Sequence, residues 1–181
     1  MLFVRCNEVN KFFLLVEPYN EQDRDYLASR FLDKMKMNRS FLETFVLIMK
    51  HVKNFVIKDD EIQDLFLYKG ELIYKIYTKD ILGANRESII VKKLNRFEHT
   101  YEIRINEEYY KHRILFYFIS SDESLNNKEE FFVLSYGFSK SQNDFDFTDE
   151  FAESNDNIKK DIIIYPTNID YWLGGNRSEL N

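Results

Sequence analysis

The chain has 181 residues, 44% hydrophobic and 17% aromatic, enough apolar mass for one packed core and too much for a disordered segment. A single cysteine, Cys6, excludes a disulfide framework, and no apolar run reaches the roughly 20 residues of a membrane-spanning helix. The net charge of −6 counts against a protein that holds nucleic acid over its whole surface.

The start, MLFVRCNEVNKFFLLVEP, has no charged leader followed by a cleavable apolar segment, so a cytoplasmic protein is expected. Phe12 to Val16 is a short apolar run closed by Pro18 and reads as the first strand. Tyr26, Leu27, Phe31, Leu32 and Met35 then recur at helical spacing. Asn38 to Ser40 is a plausible break. Phe41, Leu42, Phe45, Val46, Ile48, Met49 and Val52 make a second helix, apolar on more than one face and so expected in the core. Leu65 to Tyr68 and Leu72 to Tyr77 flank Lys69-Gly70-Glu71, which predicts a hairpin; Gly83-Ala84-Asn85 predicts a loop.

The stretch from Val91 to Lys140 carries the clearest pattern. Tyr101-Glu102-Ile103-Arg104-Ile105 alternates with the period of a half-buried strand, Tyr101, Ile103 and Ile105 facing one way and Glu102 and Arg104 the other. His112 to Ser120 is nearly all apolar and reads as a central strand, and Phe131 to Phe138 as a third. The polar connections Asn106–Lys111 and Ser121–Glu130 are of hairpin length, so the three should form an antiparallel meander. Positions 92 to 113 hold six Lys or Arg against four Glu. Arginine forks are the usual protein device for gripping phosphate, and Tyr101, Tyr109, Tyr110 and Tyr136 offer faces for stacking bases. The plainer reading is solvated charge on the open face of an antiparallel sheet.

After Lys140 the chain turns acidic: Asp144, Asp146, Asp149, Glu150, Glu153 and Asp156 follow one another with no basic residue between. The plain expectation is a solvated segment. A sharper one places these acids beside the basic strands, competing with RNA phosphate. Phe147 and Phe151 lie one helical turn apart, Asp161 to Tyr165 reads as a strand, and Tyr171-Trp172-Leu173 as a cluster docked on the domain. The histidines, His51, His99 and His112, lack zinc-ligand spacing, and Cys6 is alone, so no metal or other cofactor is expected.

The ordered set KKL, YEIRI, HRILFYF and YGFSK, from about Ile90 to Gln142, resembles the phage-derived HigB-like branch of the RelE/ParE toxin superfamily. The resemblance implies an α+β, RelE-like fold, with an N-terminal strand and helical hairpin packed on a mainly antiparallel sheet. On that scheme residues 1–165 are one domain with an insertion around 56–85, and residues 166–181 are a C-terminal tail. It also implies a toxin of a toxin–antitoxin system: a metal-independent endoribonuclease that cleaves mRNA on the ribosome and is silenced by a cognate antitoxin protein. No membrane partner is implied. Matched position by position, Arg104 and Arg113 would clamp the scissile phosphate and Lys140 would assist. Tyr109 or His112 would move the proton, and Lys92, Lys93, Arg96 and Tyr136 would bind RNA. Arg113→Ala should then abolish cleavage and leave the fold intact. Glu102, Ser139 and Phe145 depart from the family pattern, each standing where relatives often carry a catalytic or basic residue. A non-catalytic RelE-fold protein-interaction module is the alternative.

Overall fold

A computed structural model describes residues 2–5, 10–15, 25–58, 61–79, 85–120, 129–141 and 148–164. Ten strands and three helices lie among them: β1 (Leu2–Arg5), β2 (Asn10–Leu15), α1 (Ala28–Met35), α2 (Arg39–Val52), β3 (Ile57–Lys58), β4 (Glu61–Ile62), β5 (Phe66–Tyr68), β6 (Glu71–Lys79), β7 (Asn85–Lys93), β8 (Tyr101–Asn106), β9 (Lys111–Ser120), β10 (Glu129–Lys140) and α3 (Thr148–Ile164). Eight strands form one sheet in the order β1-β2-β10-β9-β8-β7-β6-β5, while β3 and β4 pair by themselves. Every pairing in the large sheet is antiparallel except β2 with β10. The expected meander β8-β9-β10 is present, with the apolar β9 inside the sheet.

Period-2 alternation sends the two faces to different helices. Tyr101, Ile103 and Ile105 of β8 join Ile114, Phe116 and Phe118 of β9 in a core that includes Phe31 of α1 and Phe41, Ile48 and Val52 of α2. On the opposite face Leu115, Tyr117, Tyr136 and Phe138 pack against Phe151, Ala152 and Ile158 of α3. Both faces of this part of the sheet are therefore covered, and the reading of an open charged face is corrected. One stripe of α2 is buried; Val46 and Leu47 on its other side are exposed, so the helix is not core all round. Asn38 caps it, its Oδ1 accepting from Phe41 N at 3.0 Å.

At the far edge β5 and β6 form the expected hairpin. Its two turn residues both adopt positive φ, 51° at Lys69 and 81° at Gly70, the pairing of a tight two-residue turn. Two other readings of the sequence need correction. Asn85 begins β7 and is not part of a loop. The residues Asp161 to Ile164, expected as a strand, continue α3. The acids Asp149 and Glu150 stand in the first turn of α3, where the positive end of the helix dipole favours them; the described part of the acidic run is helical, with Asp149, Glu150 and Glu153 exposed to solvent and Asp156 buried. Phe145, Phe147, Asp144, Asp146 and Tyr171-Trp172-Leu173 lie outside the described residues. No helix among the described residues is long and apolar enough to cross a membrane.

Two features set where the ends of β9 and β10 point. The register of β10 against β9 shifts between Leu134 and Tyr136, a bulge at Ser135. Ser135 Oγ donates to Leu115 O at 3.1 Å there. The extra residue inverts the alternation, so Phe132 and Leu134 face α1 and α2 while Tyr136 and Phe138 face α3. Gly137 then lies under α1: a Cβ built on it would stand 2.5 Å from Phe31 Cδ1 and 2.8 Å from Phe31 Cβ. Gly137→Ala should therefore cost about 1–3 kcal/mol by overpacking, read as a lower urea midpoint with an unchanged slope. An unchanged midpoint would mean that Phe31 moves aside freely.

Candidate functional site

Three of the sequence-predicted residues share one face of the sheet. Arg104 and Arg113 are direct partners across β8 and β9. Lys140 is the partner of Lys111, two residues along β9 from Arg113, and the bulge at Ser135 is what turns Lys140 to this side. Lys92, opposite Glu102, adds a fourth cation to the face.

At the centre of these cations sits a carboxylate, Glu102, which is buried. Its Oε1 lies 3.2 Å from Arg113 Nε and its Oε2 lies 3.4 Å from Arg104 Nε. Burial pushes the Glu102 carboxyl above its ordinary value, against the pull of Arg113, Arg104, Lys140 and Lys92. Arg113 is only 1% exposed, and its Nη1 donates to Asn106 Oδ1 at 3.0 Å and to His112 O at 2.7 Å. Its fork is thus spent within the protein, and the phosphate clamp expected of Arg113 is corrected: the anion it holds is Glu102. Arg104 is partly open to solvent.

The remaining expectations divide. Lys93 faces the other side of the sheet, partnered with Tyr101 in register, and Nζ is 2.7 Å from Glu61 Oε1. Lys92 Nζ meets Glu71 Oε1 at 2.7 Å. Arg96 Nη1 meets Asp149 Oδ2 at 2.7 Å on the surface. Tyr136 is buried and stacks on Phe151 with ring centroids 4.8 Å apart, so it is no platform for a base. His112 is buried on the α1–α2 side, against Phe41 and Phe31, and does not share a face with the arginines. Two acids of α3 are engaged elsewhere. Asp149 pairs with Arg96, and Asp156 accepts from the Glu98 and His99 amides and the Thr100 hydroxyl.

An open cleft of about 610 Å³ lies where the β8–β9 turn meets the end of β10. Glu107, Glu108, Tyr109, Tyr110, Lys111, Lys140 and Ser141 line it. The turn is closed by Glu107 N donating to Tyr110 O at 2.8 Å, and it holds Tyr109 and Tyr110 out in solvent. Two ammonium groups on neighbouring strands, two phenols and two carboxylates make a site that can hold an anion and move a proton beside it. Of the sequence-predicted residues, Tyr109 and Lys140 belong to it. Lys111 was legible only as part of the basic count, because a strand-initial lysine has no signature of its own. Among the described residues no group of three or more His, Cys, Asp or Glu is placed to hold a metal ion. Comparison with protein-family models, curated proteins and solved structures yields no match to the chain.

Proposed function

We propose that the chain has a RelE-like fold of the phage-derived HigB-like branch and is the toxin of a toxin–antitoxin system. It cleaves mRNA on the ribosome as a metal-independent endoribonuclease and is silenced by a cognate antitoxin protein. The order of strand, two helices and meander supports the fold. The observation that carries the activity is the Lys111–Lys140 pair with Tyr109 and Glu108 around one cleft, on the face shared with Arg104. The two ammonium groups hold the scissile phosphate and stabilise the negative charge that builds on its oxygens. The RNA 2′-oxygen bonds to phosphorus as the bond to the leaving 5′-oxygen breaks, with Glu108 taking the 2′ proton and Tyr109 supplying one to the leaving oxygen. Tyr110 offers a stacking face.

Induced expression should arrest growth and cleave cellular mRNA. Lys111→Ala with Lys140→Ala should lower the cleavage rate by about 10²-fold or more, the scale of losing charge stabilisation at a transition state, with an unchanged melting temperature.

A second reading is a non-catalytic RelE-fold module that binds protein. The internal pairing of Arg113 with Glu102, and of Lys92, Lys93 and Arg96 with other acids, favours it. Expression without growth arrest, and without RNA cleavage by the purified protein, would select this reading.

A further inference from the structure

On the α1–α2 side of the same strands, Ser139, His112 and Glu107 form a hydrogen-bonded chain. Ser139 and His112 are direct partners across β10 and β9, and the bulge at Ser135 is again what brings the serine to this side. His112 Nδ1 is 2.7 Å from Ser139 Oγ, and His112 Nε2 is 3.0 Å from Glu107 Oε2. Glu107 is itself positioned by Asn38, the α2 cap residue, whose Nδ2 donates to Oε2 at 3.2 Å. Burial works to raise the Glu107 carboxyl, but the hydrogen bonds from His112 and Asn38 outweigh it and hold the group below its ordinary value. An ionised Glu107 accepts from Nε2–H, so Nδ1 carries the lone pair and accepts from the serine hydroxyl. The imidazole is buried between Phe31 and Phe41, while Ser139 is exposed.

A nucleophile within hydrogen-bond reach of a base, and the base oriented by a third group, is the arrangement that activates serine. We propose that Ser139, His112 and Glu107 constitute a second site, which transfers acyl groups from small carboxylic esters to water. Ser139 Oγ bonds to the ester carbonyl carbon as its proton passes to His112 Nδ1. The carbon–alkoxy bond then breaks, and the alcohol leaves with that proton. Water, deprotonated by His112, attacks the acyl-serine and releases the carboxylic acid and the free hydroxyl. No oxidant, reductant or metal enters the balance. Because Ser139 faces solvent at the end of its strand, the acyl group reaches it from outside, which suits small esters.

The test uses the full chain and a fluorophosphonate probe, in which Oγ displaces fluoride from phosphorus. Peptide mass spectrometry should find one adduct, on Ser139. Ser139→Ala should abolish it, and abolish hydrolysis of 4-nitrophenyl acetate above the buffer rate. Glu107→Gln should slow labelling by about 10²-fold, since general-base assistance is worth 10²–10⁴. No adduct on Ser139 of the unmodified protein, or an adduct that forms as fast in Glu107→Gln, would overturn the proposal. A merely structural hydrogen bond would give an inert serine. Glu107 borders both sites, but the outcome is separable from the endoribonuclease reading, since growth arrest depends on Lys111 and Lys140, and neither belongs to the triad.

Discussion

Arg113→Ala should destabilise the protein by about 3–5 kcal/mol, the range seen when one partner of a buried ion pair is removed. Arg113 and Glu102 are both nearly sealed from solvent, and their facing atoms are 3.2 Å apart. Truncation leaves the Glu102 carboxylate in a low-dielectric site with Arg104 at 3.4 Å and with Lys140 and Lys92 acting on it, and it strips Asn106 Oδ1 and the His112 carbonyl of a donor. The melting temperature should fall by on the order of 10 °C for a chain of this size. This replaces the expectation that Arg113→Ala leaves the fold intact. That expectation rests on exposed arginines, and Arg113 is not one. The pair Arg113→Met with Glu102→Leu should recover most of the loss, because exchanging a whole buried pair for apolar side chains is close to neutral. A loss below about 1 kcal/mol for Arg113→Ala would show a pair that is still hydrated.

Asp156→Ala should cost about 3 kcal/mol, as several hydrogen bonds to one charged group are lost together. Asp156 Oδ2 accepts from Glu98 N at 2.8 Å, and Oδ1 accepts from His99 N at 3.0 Å and from Thr100 Oγ1 at 2.8 Å. These bonds tie the β7–β8 connection to the side of α3. The neighbouring Asn155 donates to the same Thr100 Oγ1 at 2.9 Å. Removing the carboxylate takes an acceptor from two part-buried amides and from the buried Thr100 hydroxyl, and frees α3 from the sheet at that point. Hydrogen exchange should therefore rise in residues 94–100 and along α3 before it rises in β9. By contrast Arg96→Ala should cost less than ~1 kcal/mol, because the Arg96–Asp149 pair is exposed on both sides. Equal losses for the two variants would refute the assignment of Asp156 as the tie.

The meander and the α1–α2 hairpin were legible because their buried positions are apolar and regularly spaced. Tyr101, Ile103 and Ile105 alternate, and Phe41, Ile48 and Val52 fall on one helical stripe. The Lys69-Gly70 turn was legible because glycine tolerates the positive φ that such a turn needs. Helix α3 was harder to see. Its buried positions include Phe151, Ala152 and Ile158 but also Asn155, Asp156 and Lys159, so half of its inward stripe is polar and the hydrophobic period is broken. The β-branched run at its end then imitates a strand, although the backbone there is helical.

The site was legible in part for a related reason. Which way Lys140 and Ser139 point depends on an extra residue at Ser135, and no single-residue signature in FFVLSYGFSK announces a bulge. Nor does alternation reveal that the polar side of β8 is roofed over. Glu102 and Arg113 look like surface charges in the sequence, and they become an internal pair only once the opposite face is covered near them by α3 and Phe138. The short β1 went unread for want of any punctuation between it and β2.

During synthesis β2 leaves the ribosome long before β10 exists. The two strands pair in parallel from Asn10 with Glu129 to Leu15 with Leu134, across most of the length of the chain. At ordinary elongation rates the β1–β2 ribbon waits on the order of ten seconds for its neighbour. Over that interval one row of its amide and carbonyl groups faces water, the kind of strand edge that invites pairing with another nascent chain. Closing so large a loop is also entropically slow, so the parallel join should be among the last pairings to form. Translation stalled before Glu129 would leave a ribbon that no other part of the same polypeptide can complete.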